Sequence, residues 1–204
     1  MDIKDFARQV ERKRKELDDM MRRKMPAVVG RMAKDHFQDN FYRGGFVDGG
    51  LHPWPKSKRQ LAGGKRAADN YGTLLSGSKH LFNSINYVQS NYRVRVFNNL
   101  AYAPIHNWGG TVHPTVTDKM RKYAWRQFYK AAGIRKNSSN KTRTKKIGAL
   151  PPNSDAMMWK RLALTKKQKL NIRIPQRQFL GESKELTEKI NERIEKEIRN
   201  ILSS

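Results

Sequence analysis

The sequence predicts an α+β fold: a small, mostly antiparallel sheet packed by helices, with a projecting N-terminal helix and long basic loops. Two stretches, 84–98 and about 157–174, alternate apolar and polar residues with the period of a strand. Residues 183–202 repeat apolar side chains at helical spacing, and residues 2–24 read as a charged helix.

In chain order, Asp2 can cap the first helix, and Phe6, Val10, Leu17, Met20 and Met21 form a broken stripe interrupted by Arg12, Lys13, Arg14 and Lys15. Such a helix buries little by itself. Pro26 suits the first turn of a second helix over 26–41, which Gly44-Gly45 ends. Residues 43–73 read as a long loop, because Gly49, Gly50, Pro53 and Pro55 oppose both helix and central strand. Within it, 56–66 holds Lys56, Lys58, Arg59, Lys65 and Arg66 and no acid. In the first hairpin, Ile85 and Tyr87 alternate with polar residues. After a turn at Gln89-Ser90-Asn91, Tyr92, Val94 and Val96 share one face, with Arg93 and Arg95 on the other. Residues 101–110 form a compact connection ending in a diglycine. Thr117 can cap a helix over 116–132, and Gly133 stops it. The following stretch, 135–146, has six basic residues, no acid and no apolar side chain, so it is expected to be mobile without a partner. In the second hairpin Leu162 and Leu164 face Leu170, Ile172 and Ile174 across a turn at 165–168, and Pro175 ends the pairing. Ser183 caps the last helix, where Glu185–Lys189, Glu192–Lys196 and Glu195–Arg199 are spaced for ion pairs. The expected organisation is a charged helical arm over 1–25 and one α+β domain over 26–204, with flexible loops near 47–73 and 133–156.

Forty-three Lys and Arg against 18 Asp and Glu give a net charge of +25. A charge of that size suggests a polyanionic neighbour, whether nucleic acid or an acidic protein surface. The candidate contacts are Lys56, Lys58, Arg59, Arg135, Lys136, Lys141, Arg143, Lys145 and Lys146. Hydrophobic residues make up 37% and mean hydropathy is −0.87, so the core should be modest. The chain has no cysteine, which excludes disulfides, Cys-ligated zinc and Cys nucleophiles. No apolar run approaches the ~20 residues of a membrane span. The N-terminus has no apolar signal core and is not expected to direct secretion.

Catalytic chemistry finds little footing. His36, His52, His80, His106 and His113 form no metal-ligand spacing, and no carboxylate lies between Asp69 and Asp118. Leu61-Ala62-Gly63-Gly64-Lys65-Arg66 lacks the spacing of a phosphate-binding loop. No catalytic residue, cofactor or metal is therefore expected. Basic and aromatic residues interleave at 119–130, which suits either base stacking on a nucleic acid or a partner-binding amphipathic helix.

Four landmarks together resemble the phage virion morphogenesis family of Mu-like phages. They are Phe41-Tyr42-Arg43-Gly44-Gly45-Phe46 followed by Trp54-Pro55-Lys56; Leu74-Leu75-Ser76-Gly77 followed by Leu81-Phe82-Asn83-Ser84-Ile85; Tyr102 to Gly110; and Ile174-Pro175-Gln176-Arg177-Gln178-Phe179-Leu180-Gly181 before the last helix. The resemblance implies a structural protein of tail completion or head–tail joining, made in the bacterial cytoplasm and located in the virion. It would form a homo-oligomeric ring against tail-tube, neck or connector proteins, with possible non-specific DNA contact and no membrane. The resemblance marks Phe46, Trp54, Tyr102, His106, Trp108, Arg177 and Phe179 as scaffold or interface residues; Trp125 joins them from the aromatic stretch. A basic nucleic-acid-binding accessory protein of a phage or prophage is the alternative reading.

Overall fold

The computed structural model describes residues 2–61 and 71–203. Lys65 and Arg66, and the side chains of Lys58 and Arg59, lie outside the described residues. The chain forms two compact units, one of 1–110 with 174–204 and the other of 111–173.

The first unit opens on one continuous helical path. Helix α1 (Ile3–Asp19) runs through a π-helical turn (Met20–Lys24) into α2 (Met25–Arg43). The expected boundary after residue 25 therefore falls inside a helix. The cause is local. Pro26 has no N–H for the carbonyl of Arg22, its ordinary helical acceptor. The Met25 N–H reaches back to Met20, and the Tyr92 N–H donates to the Arg22 carbonyl at 3.1 Å. The Tyr92 hydroxyl also donates to Asp18. Helix α1 buries no side chain, and Lys13, part-way along it, donates to the Ile201 carbonyl. Gly44 ends α2 at φ 68°, and its N–H donates to the Asn40 carbonyl.

The expected loop at 43–73 begins as a hairpin instead. Strand β1 (Gly45–Val47) pairs antiparallel with β2 (Leu51–Pro53), Phe46 opposite His52. Pro53 is tolerated because it closes a short edge ladder. A short helix, α3 (Lys58–Leu61), follows. After α4 (His80–Asn83), β3 (Ile85–Ser90) and β4 (Arg93–Asn98) form the expected hairpin. Ser90 pairs with Arg93, so Asn91 and Tyr92 make the turn, Tyr92 at φ 59°. Within the compact connection expected over 101–110, Ala103–Trp108 form helix α5. The last helix, α9 (Lys184–Ser203), is capped by Ser183, whose Oγ accepts from the Leu186 N–H at 3.3 Å. Its Glu195–Arg199 pair forms at 3.5 Å and Arg193–Glu197 adds another at 2.7 Å. Glu185 does not pair with Lys189. It accepts from the Gly49 and Gly50 N–H groups at 3.0 and 2.7 Å, while Asp48 accepts from the Lys184 N–H at 3.0 Å.

The core of this unit gathers Ala33, Phe37, Phe41, Phe46, Trp54, Leu81, Ile85, Ala103, Phe179 and Leu186. Phe41 sits edge-on to Trp54 at 5.3 Å between ring centres and 5.5 Å from Phe179. Gly30 lets α2 approach the β3–β4 hairpin. A Cβ there would lie 2.3 Å from Tyr87 Cδ2 and 2.8 Å from its Cγ. Gly30→Ala gains about 1 kcal/mol of helix propensity but must displace the ring at its root. We expect a net loss of about 1–3 kcal/mol, read as a lower urea midpoint. A raised midpoint would mean that the hairpin yields freely.

The second unit begins with β5 (Gly110–Val112), which pairs with β6 (Ile172–Ile174), and the ladder continues through the Thr115–Lys169 bridge. Between them lie α6 (Asp118–Ala131), α7 (Asn140–Gly148) and α8 (Asp155–Leu164). Thr117, Ser139 and Ser154 cap them by accepting from the N–H three residues on, at 3.2, 3.2 and 3.4 Å. Ala124, Phe128, Ile134, Ala156 and Ala163 are buried, and Tyr123 meets Trp159 edge-on at 5.8 Å.

Four expectations are corrected here. The stretch 157–164 is helical, not a strand, because the Ser154 cap and the Ala156–Ala163 spacing set a helix period that outweighs the Leu162/Leu164 alternation. Strand β6 pairs with β5 and not with 157–164. Among the described residues the strands form three separate two-stranded ladders, not one sheet. The loop expected at 133–156 contains α7, a helix with no buried residue that its cap and its lysines support without burial.

Candidate functional site

The C-terminal landmark is a strap, residues 175–183, threaded through the first unit and held by polar groups from two other landmarks. Asn107, near the end of α5, is 5% exposed. Its Oδ1 accepts from the Phe179 and Leu180 N–H groups at 2.8 and 2.9 Å, and its Nδ2 donates to the Leu180 carbonyl at 3.0 Å. The Arg177 N–H donates to the His106 carbonyl at 2.8 Å, and Arg177 Nε donates to the Pro55 carbonyl at 2.9 Å. Trp54 Nε1 donates to the Gln178 carbonyl at 2.7 Å. Phe179 is then driven fully into the core. Close passage of the strap also explains Gly109. It sits at φ 72°, and a Cβ there would lie 2.9 Å from the Gln176 nitrogen.

The candidate interface residues therefore separate into different environments. Phe46, Trp54, Arg177 and Phe179 are buried and hold the strap or fill the core. His106 is half-buried. Tyr102 and Trp108 stand out at 43% and 66% exposure. Trp125, in the second unit, is half-buried and stacks on Tyr129 at 5.9 Å. Of the candidate polyanion contacts, Lys56 is exposed in the first unit, while Arg135, Lys136, Lys141, Arg143, Lys145 and Lys146 all fall in the second. There, Arg143 donates to the Lys136 carbonyl at 2.7 Å and Lys146 to the Gly133 carbonyl at 2.6 Å.

Sequence reasoning missed Asn107 and Asp48 and gave Glu185 a different partner; these are the polar residues that fix the strap and seat α9. No local signal marks Asn107, because its partners Phe179 and Leu180 lie 72 and 73 residues on.

Tyr102, His106 and Arg177 come together along a cleft of about 380 Å³, with His80, Leu81 and Thr73 also on its walls. Among the described residues no carboxylate lines it. Burial, then the neighbouring Arg177 charge, lowers the His106 pKa below its ordinary value, and burial likewise lowers that of Arg177. Burial, followed by the Lys189 charge, lowers that of His36 in α2. Among the described residues no group of three or more His, Cys, Asp or Glu could hold a metal ion. The arrangement ties the backbone of the strap to side chains and backbone of the first unit and presents aromatic surface.

A family model described as the phage virion morphogenesis family matches residues 2–199 of the 204. The chain belongs to the phage virion morphogenesis family. No curated protein and no solved structure matches it. Membership gives the chain a structural or assembly role in a phage and associates it with the virion. The match spans both compact units and all four landmarks. Among the described residues, no helix is long and apolar enough to cross a membrane.

His36 and His106, with both pKa values lowered by burial, are expected to make stability pH-dependent. With the folded pKa below that of the unfolded chain, the unfolded state binds more protons on acidification. The stabilisation is complete above the unfolded value of about 6.5 and declines as pH falls below it toward the folded pKa. A melting temperature followed from pH 8 to pH 5 should drop below about 6.5, and His106→Gln should flatten part of that slope. An identical slope in the variant would remove His106 from the account.

Proposed function

We propose that the chain is a non-catalytic subunit of a homo-oligomeric ring that acts in tail completion or head–tail joining and contacts tail-tube, neck or connector proteins. Family membership supports assembly. Trp108 carries the finer reading. It is a large aromatic side chain, 66% exposed, on the residue immediately after Asn107, whose side chain is locked to the strap by three hydrogen bonds. An exposed tryptophan on a rigid mount suits an interface anchor, because little freedom remains to be lost on docking. Ring closure needs a different patch on the next copy. Val88 and Tyr92, exposed on the β3–β4 hairpin, are candidates for it.

The test is native mass spectrometry of the purified full chain. The wild type should form a closed oligomer. Trp108→Ala should weaken association by about thirtyfold, the loss expected for a hot-spot residue near 2 kcal/mol, without lowering the melting temperature. A strictly monomeric wild type, or a variant that assembles as well as wild type, would count against the ring.

A further inference from the structure

The net charge is divided very unevenly between the two units. The second, residues 111–173, holds seventeen Lys and Arg against two acids, Asp118 and Asp155, for a net +15 in 63 residues. The other 141 residues share the remaining +10. The ion pairs are just as uneven. Every ion pair among the described residues lies on α1 with its π-turn, α2 or α9, all in the first unit. In the second unit, cations that find an internal partner find a backbone carbonyl: Arg121 on Ala163 and Thr165, Arg143 on Lys136, Lys146 on Gly133, and Arg161 on Pro152. A carbonyl positions a cation but does not neutralise it. Most of the seventeen are exposed, including Lys136, Lys141, Lys145, Lys166 and Lys167.

We infer that residues 111–173 form a duplex-DNA contact module that grips the phosphate backbone without reading sequence. The inference goes beyond the ring proposal and stands whether or not the chain closes a ring. Charge density favours DNA over an acidic protein. A duplex carries one phosphate charge per ~1.7 Å of axis, whereas folded protein surfaces mix both signs. Residue choice points the same way. Eleven of the seventeen cations are lysine, a residue depleted at protein–protein interfaces, where arginine is enriched, but able to meet a phosphate as a point charge. Tyr123 and Tyr129 keep 53% and 41% exposure, but each already rests on a neighbouring ring, Trp159 and Trp125, so a stacked base would compete with those contacts.

The test titrates the full chain against a 30-base-pair duplex of arbitrary sequence at several salt concentrations. One variant replaces Lys136, Lys141, Lys145, Lys166 and Lys167 with Gln. A charge-matched control replaces Lys4, Lys24, Lys184, Lys189 and Lys196 with Gln in the first unit. Wild type should lose about 10³-fold or more in affinity between 50 and 200 mM salt. The second-unit variant should reduce the log–log salt slope by about 3 to 4, and the control by less than about 1, with unchanged melting temperatures. Equal losses in variant and control, tighter binding to poly-glutamate or to a single strand than to the duplex, or no duplex binding at 50 mM salt would each overturn the inference.

Discussion

Phe179→Ala is expected to destabilise the chain by about 3–5 kcal/mol, read as a lower urea midpoint with an unchanged slope. Phe179 is fully buried and packs 5.5 Å from Phe41, at the meeting point of α2, the β1–β2 hairpin and the strap. Truncation removes its transfer free energy and leaves a cavity between aromatic neighbours that are themselves pinned. Trp54 cannot swing into the space without losing the bond from Nε1 to the Gln178 carbonyl. A domain stable by about 5–15 kcal/mol would lose much of its margin. Phe179→Leu keeps most of the volume and should cost under about 1.5 kcal/mol. A loss below about 1 kcal/mol for the alanine variant would mean that the strap is peripheral.

Asn107→Ala should cost about 3 kcal/mol or more, because three backbone groups lose one partner together. The Phe179 and Leu180 N–H groups and the Leu180 carbonyl all depend on that amide. Asn107→Asp is the sharper variant. Its carboxylate keeps both acceptor contacts but turns a donor into an oxygen facing the Leu180 carbonyl, so it should fall between wild type and alanine above the carboxylate pKa. Both positions act on one strap, so the double variant Asn107→Ala/Phe179→Ala should lose less than the sum of the singles. Additive losses would separate the polar latch from the aromatic plug. Both variants are read by the same denaturation titration.

Much of the first unit was legible in the sequence because its signals are local. The Ser183 cap, the Gly44 stop and the alternation in β3–β4 each act within a few residues. Phe179 and Trp54 were found as landmarks, but their partners were not. Asn107 meets Leu180 across 73 residues of chain, and no spacing rule connects them. The π-turn was hidden for a similar reason. Pro26 announces a helix start, yet the carbonyl it leaves open is met by Tyr92, far along the chain. In the second unit, short apolar runs fit either period. The helix at 155–164 prevailed because Ser154 supplies a cap and Ala156 and Ala163 pack inward. In the basic run at 135–146, which offers nothing to bury, the Ser139 cap starts α7 at Asn140. Charge was counted correctly over the whole chain, but its concentration in residues 111–173 required the division into units.

If this chain is a ring-forming subunit at the end of the tail or in the neck, as proposed, cryo-EM of the intact phage particle should show a closed ring of copies there, with Trp108 of each copy buried against a neighbour. Particles that hold no copy of the chain, or a ring in which Trp108 faces solvent, would contradict it.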